Sequence, residues 1–217
     1  MSLDKKRRLM FWRRVKQADV PKKYNTAKIR RVMKILQKDA HLLGIDNVAL
    51  AVESDNSSFY SAMSGLDGEK PISIPNTVNI DYDKLENLSL DEIRSVLWHE
   101  LGHFILPVYY PDLDKKYEDK KAPGAYYVVQ SFCDELAYKK FGKTYFVAFA
   151  KLEKMEPANQ KFKEDFERLF PMMEYVDKHG YGYWKELAKK YNIELKKINR
   201  ASVPGVKPNV ALLDGLI

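Results

Sequence analysis

His99, Glu100 and His103 stand in the order His-Glu-Leu-Gly-His. Two imidazoles four residues apart leave one face of a helix, because a helix turns once per 3.6 residues. Both can therefore reach a single divalent ion, with metal–nitrogen distances of about 2.0–2.1 Å for zinc. Glu100, next in the chain to His99, is placed to hydrogen-bond a water on that ion rather than to bind the ion itself. The ion lowers the pKa of such a water to roughly 7. Glu100 then takes the proton as the water attacks a carbonyl carbon, and later delivers it to the leaving amine. The expected cofactor is one Zn2+ per chain, although Mn, Co and Fe suit the same donors. Two of the four histidines sit in this one turn, and the residues around it, Val96-Leu97-Trp98 and Phe104-Ile105-Leu106, are uncharged. A surface helix would not be uncharged on nearly every face.

The elements that must position this turn are legible around it. Ser89-Leu90-Asp91-Glu92 reads as a capping box opening a helix. Ile93, Val96, Leu97, Leu101 and Phe104 form its apolar stripe, and Pro107 is expected to end it. Upstream, Ile29, Val32, Met33, Leu36, Ala40 and Leu43 recur at helical spacing over 26–43, closed by Gly44. Short extended stretches follow at 48–52, 59–63 and 71–81. Pro71 and Pro75 make the last of these an expected edge strand. Tight links between the three favour an antiparallel sheet. Residues 108–124 read as a charged loop, longer than a simple connection needs. Helices are expected over 125–141, 144–155, 158–170 and 184–191, with an irregular Pro-containing tail.

VLWHELGHFI resembles the active-site helix of the zincin metallopeptidases. The order helix, short strands, HExxH helix, loop, helix is similar to the minimal zincin scaffold over about residues 25–142. The resemblance implies an α+β, zincin-like fold: a small antiparallel or mixed three-stranded sheet packed on the HExxH helix, with a helical C-terminal part. It divides the chain into a basic arm (1–24), a catalytic domain (25–142) and a helical extension (143–217). It also implies that the strand over 71–81 takes up substrate as an added strand. The tail is conjectured to cover the cleft as a latent plug.

The resemblance further implies a third metal ligand, because catalytic zinc sites use three protein donors. A metzincin would carry a histidine six residues after His103, where Tyr109 stands. A gluzincin carries an acid on the following helix. Glu135, with Phe141 and Gly142 after it, is the favoured ligand, and Asp134 is the alternative. Many gluzincins have a further acid four residues after the ligand, where Lys139 stands here. Related enzymes stabilise the oxyanion with a Tyr or His. The candidates are Tyr126, Tyr127, His179, Tyr181 and Tyr183, with Tyr127 and His179 preferred. His41 and Cys133 are read as structural rather than chemical residues.

Composition bounds the rest. The chain has 217 residues, 45% of them apolar and 12% aromatic, enough for a sizeable core. One cysteine excludes a disulfide within the chain and a Cys-based zinc site, and favours a reducing, cytoplasmic or intracellular compartment. No apolar run is long enough to span a membrane. The net charge of +7 is uneven: residues 1–40 carry 14 Lys and Arg against 3 Asp, and the remainder is net acidic. Expected partners are therefore a protein or peptide substrate and, through residues 5–31, a nucleic acid or other anionic partner. The readings that compete with a metallopeptidase are a nucleic-acid-associated, SprT-like protein and a non-catalytic zincin-fold regulator.

Overall fold

The computed structural model describes residues 9–11, 25–46, 48–53, 60–62, 66–67, 70–71, 76–118, 122–155, 160–198, 203 and 205–217. In chain order the elements are β1 (Leu9–Phe11), α1 (Thr26–Leu43), β2 (Ala49–Glu53), β3 (Tyr60–Ala62), β4 (Leu66–Asp67), β5 (Lys70–Pro71) and β6 (Thr77–Asp81). Then come α2 (Tyr82–Asn87), α3 (Leu90–Tyr109), α4 (Pro111–Glu118), α5 (Pro123–Phe141), α6 (Lys143–Met155), α7 (Gln160–His179) and α8 (Tyr183–Lys190). Apart from the backbone of β1, the basic arm lies outside the described residues, as does most of the 71–76 part of the expected edge strand.

The expected three-stranded antiparallel or mixed sheet is overturned. Helices dominate the described residues, and the two five-residue strands, β2 and β6, pair in parallel from Ala49 opposite Thr77 to Glu53 opposite Asp81. Three-residue β1 and β3 flank them antiparallel, in the order β1-β2-β6-β3. β6 is thus interior rather than an edge, and its five residues are all buried. The pattern misleads: Thr-Val-Asn-Ile-Asp alternates as a half-exposed strand would, yet its surroundings bury Thr77, Asn79 and Asp81 along with Val78 and Ile80. The prolines that argued for an edge precede the strand. β2 pairs along the whole of β6 and β3 along Thr77–Asn79, so over those residues β6 has no open edge to take up a substrate strand.

The HExxH helix forms for the reasons its sequence states. Ser89 Oγ accepts from the Glu92 N–H at 3.3 Å, and Glu92 Oε2 accepts from the Ser89 N–H at 2.7 Å. Pro107 does not end α3 but lies in its last turn, and Tyr110 N–H still donates to the Leu106 carbonyl. A proline near a helix end forfeits one bond rather than the element. α1 reaches α3 through Asp39, fully buried, which accepts from Arg94 Nε at 2.5 Å and from its second guanidinium nitrogen at 2.7 Å. The stretch 108–124 is also corrected: its middle is the helix α4.

α5 is the principal partner of α3. Their approach depends on Gly102, where an added Cβ would lie 2.9 Å from Cys133 Sγ and 3.1 Å from Cys133 Cα. Cys133 is itself fully buried, as expected of a packing residue. α6, α7 and α8 share one apolar core with α1, α3 and α5. The conjectured plug lies elsewhere. Asp46 N–H donates to the Gly205 carbonyl at 2.6 Å, and Trp184 Nε1 to that of Leu216 at 3.0 Å. The described tail thus fastens the end of α1 and the start of α8. Among the described residues no helix is long and apolar enough to cross a membrane.

Gly102→Ala is expected to lower stability by about 1–3 kcal/mol through overpacking, despite alanine's better helix propensity. Urea unfolding measures it. Cys133→Ala in the same chain should recover part of the loss by removing the sulfur.

Candidate active site

His99 and His103 lie on adjacent turns of α3, with ring centroids 5.3 Å apart and planes at 70°. His99 and Glu100 are each 4% exposed, and His103 is half-buried. His99 Nδ1 lies 2.8 Å from Asp134 Oδ1 on α5 and 2.8 Å from the Tyr145 hydroxyl on α6. That hydroxyl donates to Asp134 Oδ1 at 2.6 Å. Its single proton is thereby used, so the His99 nitrogen must bring the other: Nδ1–H donates, and Nε2 is the nitrogen left to carry either a proton or a metal ion. An imidazole fixed in this way is a ready metal ligand.

Asp134 is fully buried, and its second oxygen accepts from Arg168 Nε at 3.0 Å and from a terminal guanidinium nitrogen at 2.8 Å. Burial alone would push this carboxyl up; Arg168, His99 and Tyr145 hold it down at about 2. Arg168 also donates to Asp165 at 2.5 Å, and Asp165 accepts from the Tyr126 hydroxyl at 2.9 Å. Burial works against a proton on His99, but the bond to Asp134 and its charge outweigh that and raise the pKa. Burial, and then the charge of His99, push His103 down to about 3. His103 is therefore neutral at physiological pH, with a lone pair to give.

The two acids weighed as the third ligand have other partners. Glu135 accepts from the Gly182 N–H at 2.6 Å and the Trp184 N–H at 2.7 Å. α8 has no capping side chain of its own at Gly182. Glu135 supplies that cap from a different helix, where a carboxylate meets the positive end of the helix dipole. Glu135 is thus turned to α8, while Asp134 orients His99. Among the described residues, no group of three His, Cys, Asp or Glu side chains is gathered as a metal would need.

The expected oxyanion groups are scattered. Tyr127 stacks on Tyr191 at 5.8 Å, and His179 is exposed at the end of α7 against Tyr175. Tyr126 is held by Asp165. Tyr181 lies under Lys139, and Tyr183 packs on Tyr175. The aromatics that do lie against the histidine pair are Tyr145 and Phe149, each 6.1 Å from the ring of His99, and Tyr117 of α4, 5.9 Å from that of His103. The Tyr117 hydroxyl accepts from Gln130 Nε2 at 3.2 Å, and burial pushes its pKa up to about 12. Tyr117, Gln130, Tyr145 and Arg168 were not singled out by the sequence. The one signal was spacing: Gln130 and Asp134 stand four apart, ahead of the Ala137 that marks the same helix face.

No family model, curated protein or solved structure matches the chain.

Burial pushes the Glu135 carboxyl up to about 7 from an ordinary 4.5, despite its two N–H donors. The folded chain therefore keeps this proton to higher pH than the unfolded chain does. Stability should fall as pH rises from about 4.5 to about 7 and level off above, by at most about 3 kcal/mol. Urea midpoints at pH 5 and pH 8 should differ less in Glu135→Gln than in the unmutated chain. The variant should keep its metal content; loss of metal would return Glu135 to the ligand set.

Proposed function

We propose that the chain is a zinc-dependent peptidase of the HExxH class, acting on protein or peptide substrates. The observation that carries this reading is the arrangement behind His99. Asp134 and Tyr145 hold Nδ1–H, so Nε2 is the nitrogen left to face a metal, one helical turn from a neutral His103 and beside a buried Glu100. Asp134 supports a proton on His99 and also orients the ring for a metal; the neutral His103 and the buried Glu100 beside it favour the second use. A zinc ion bound there supplies Lewis acidity and lowers the pKa of water to roughly 7. The resemblance to zincins is retained for the motif alone.

Within this reading Glu100 accepts the proton of the attacking water and returns it to the leaving amine. Asp134 keeps His99 in one tautomer and one orientation throughout. Tyr117 takes the part first considered for Tyr127 and His179. Its oxygen accepts from Gln130, so its proton remains free for donation to a developing oxyanion. A reducing compartment agrees with a lone cysteine that is fully buried.

A second reading concerns partners. α1 leaves Arg30, Arg31, Lys34 and Lys38 exposed, which extends the charge of residues 5–31 along one helix face. This favours an anionic partner, nucleic acid among them, in addition to the peptidase site. Binding that weakens steeply with salt and is lost on deleting residues 1–23 would support it. Salt-independent binding would refute it.

Glu100→Gln should bind as much metal as the unmutated chain and lose turnover by at least about a hundredfold. Metal content and casein hydrolysis, measured on both proteins, test this. Equal turnover would remove Glu100 from the chemistry. An unmutated chain that holds metal but cleaves neither casein nor peptides would favour the non-catalytic regulator.

A further inference from the structure

α6 and α7 are packed side by side, and their inner side serves the site. Tyr145 of α6 and Arg168 of α7 both reach Asp134, so these two residues stand at one level. Beside them, Phe146 touches Phe166 and Phe170, with ring centroids 5.3 and 5.2 Å away. The helices are joined through residues 156–159. Run parallel from that level, the end of α6 and the start of α7 would lie about 27 Å apart at 1.5 Å per residue, beyond the roughly 18 Å that five extended chain steps can span. The two helices are therefore an antiparallel hairpin.

The outer side of the hairpin is exposed and patterned. Phe170 is 51% exposed and Val147, next in the chain to Phe146, is 44% exposed. Phe146, Phe166 and Phe170 touch one another, so the seam between the helices carries a continuous apolar strip. On one side of the seam, every exposed charge of α6 is a lysine: Lys143, Lys151 and Lys154. On the other, α7 exposes Glu164, Glu167, Glu174 and Asp177, with Lys163 and Lys178 toward its two ends. An aromatic strip left in water and rimmed by charge marks an interaction surface.

We propose that this outer face joins two copies of the chain, α6 of each lying on α7 of the other, with Phe146, Val147, Phe166 and Phe170 at the centre. The proposal is independent of the metal reading of the site. A two-fold axis in the contact plane, parallel to the hairpin, produces this arrangement. It keeps the level of every residue and exchanges the two sides of the seam, so each lysine stripe meets an acidic one. Side chains lean toward the N-terminus of their own helix. In antiparallel helices Lys143 of one copy and Glu174 of the other therefore lean toward each other. An axis across the hairpin would instead set lysine on lysine and acid on acid. A contact only two helices wide is small, so the dimer should be weak, with a dissociation constant on the order of 10–100 μM.

Sedimentation equilibrium on the full chain, between about 1 and 500 μM, tests this. The 25.3 kDa chain should rise reversibly toward twice that mass. Phe170→Asp should keep it monomeric throughout. Lys143→Glu and Glu174→Lys should each weaken the dimer about tenfold, and together they should return it to within about threefold of the unmutated chain, because opposite charges again face each other. Circular dichroism checks the fold of each variant, and recovery in the double variant cannot come from misfolding. A chain monomeric across the whole range would overturn the proposal and leave the face to a different protein. A dimer unmoved by Phe170→Asp would overturn it by placing the contact elsewhere. A double variant no tighter than the single ones would overturn the pairing of α6 with α7.

Discussion

The site depends on one buried carboxylate and the guanidinium that neutralises it. Asp134 sits in the core with no exposure, a position that costs an isolated carboxylate several kcal/mol. Arg168 offsets this with two hydrogen bonds to one oxygen, and Tyr145 and His99 complete the other. The arrangement ties α3, α5, α6 and α7 together at a single point. It also converts a structural necessity into a chemical one, since the group that satisfies Asp134 on the α3 side is the imidazole of the motif. Arg168 is in turn satisfied by Asp165, which also accepts from Tyr126, so the polar interior closes on itself rather than ending in a stray charge.

Glu135, the next residue, shows how finely a helix sorts neighbours. Consecutive side chains point about 100° apart. One acid therefore faces the HExxH helix while the other faces α8. The first is stabilised by a full positive charge, the second only by two backbone N–H groups, and their acidities diverge accordingly. From the sequence the resemblance favoured Glu135 over Asp134. That choice rested on residue type and could not foresee the partners that orient each acid, because Arg168 and the start of α8 lie more than thirty residues downstream.

Local signals were read well, and distant ones were not. The Ser89–Glu92 capping box, the span of α1 and the glycine that closes it follow from neighbours in the chain, and all are present. The direction in which β2 and β6 pair is a matter of how 23 intervening residues return, which spacing does not encode. The loop after the motif concealed α4 because Asp112, Asp114, Lys115 and Lys116 resemble a solvated turn, although opposite charges at that spacing also suit a short exposed helix. Tyr117 went unnoticed for that reason.

The segment read as an appendage after residue 142 contributes Tyr145 and Arg168, and so it finishes the interior of the motif helix rather than decorating it. A nascent chain leaving the ribosome exposes His99, Glu100 and His103 well before either of those residues has been made. Until α7 arrives, the carboxylate that orients His99 lacks its counter-charge. Assembly of this cluster is in this way deferred to a late moment of synthesis, and a fragment cut short of residue 168 would carry the whole signature yet leave Asp134 without its arginine.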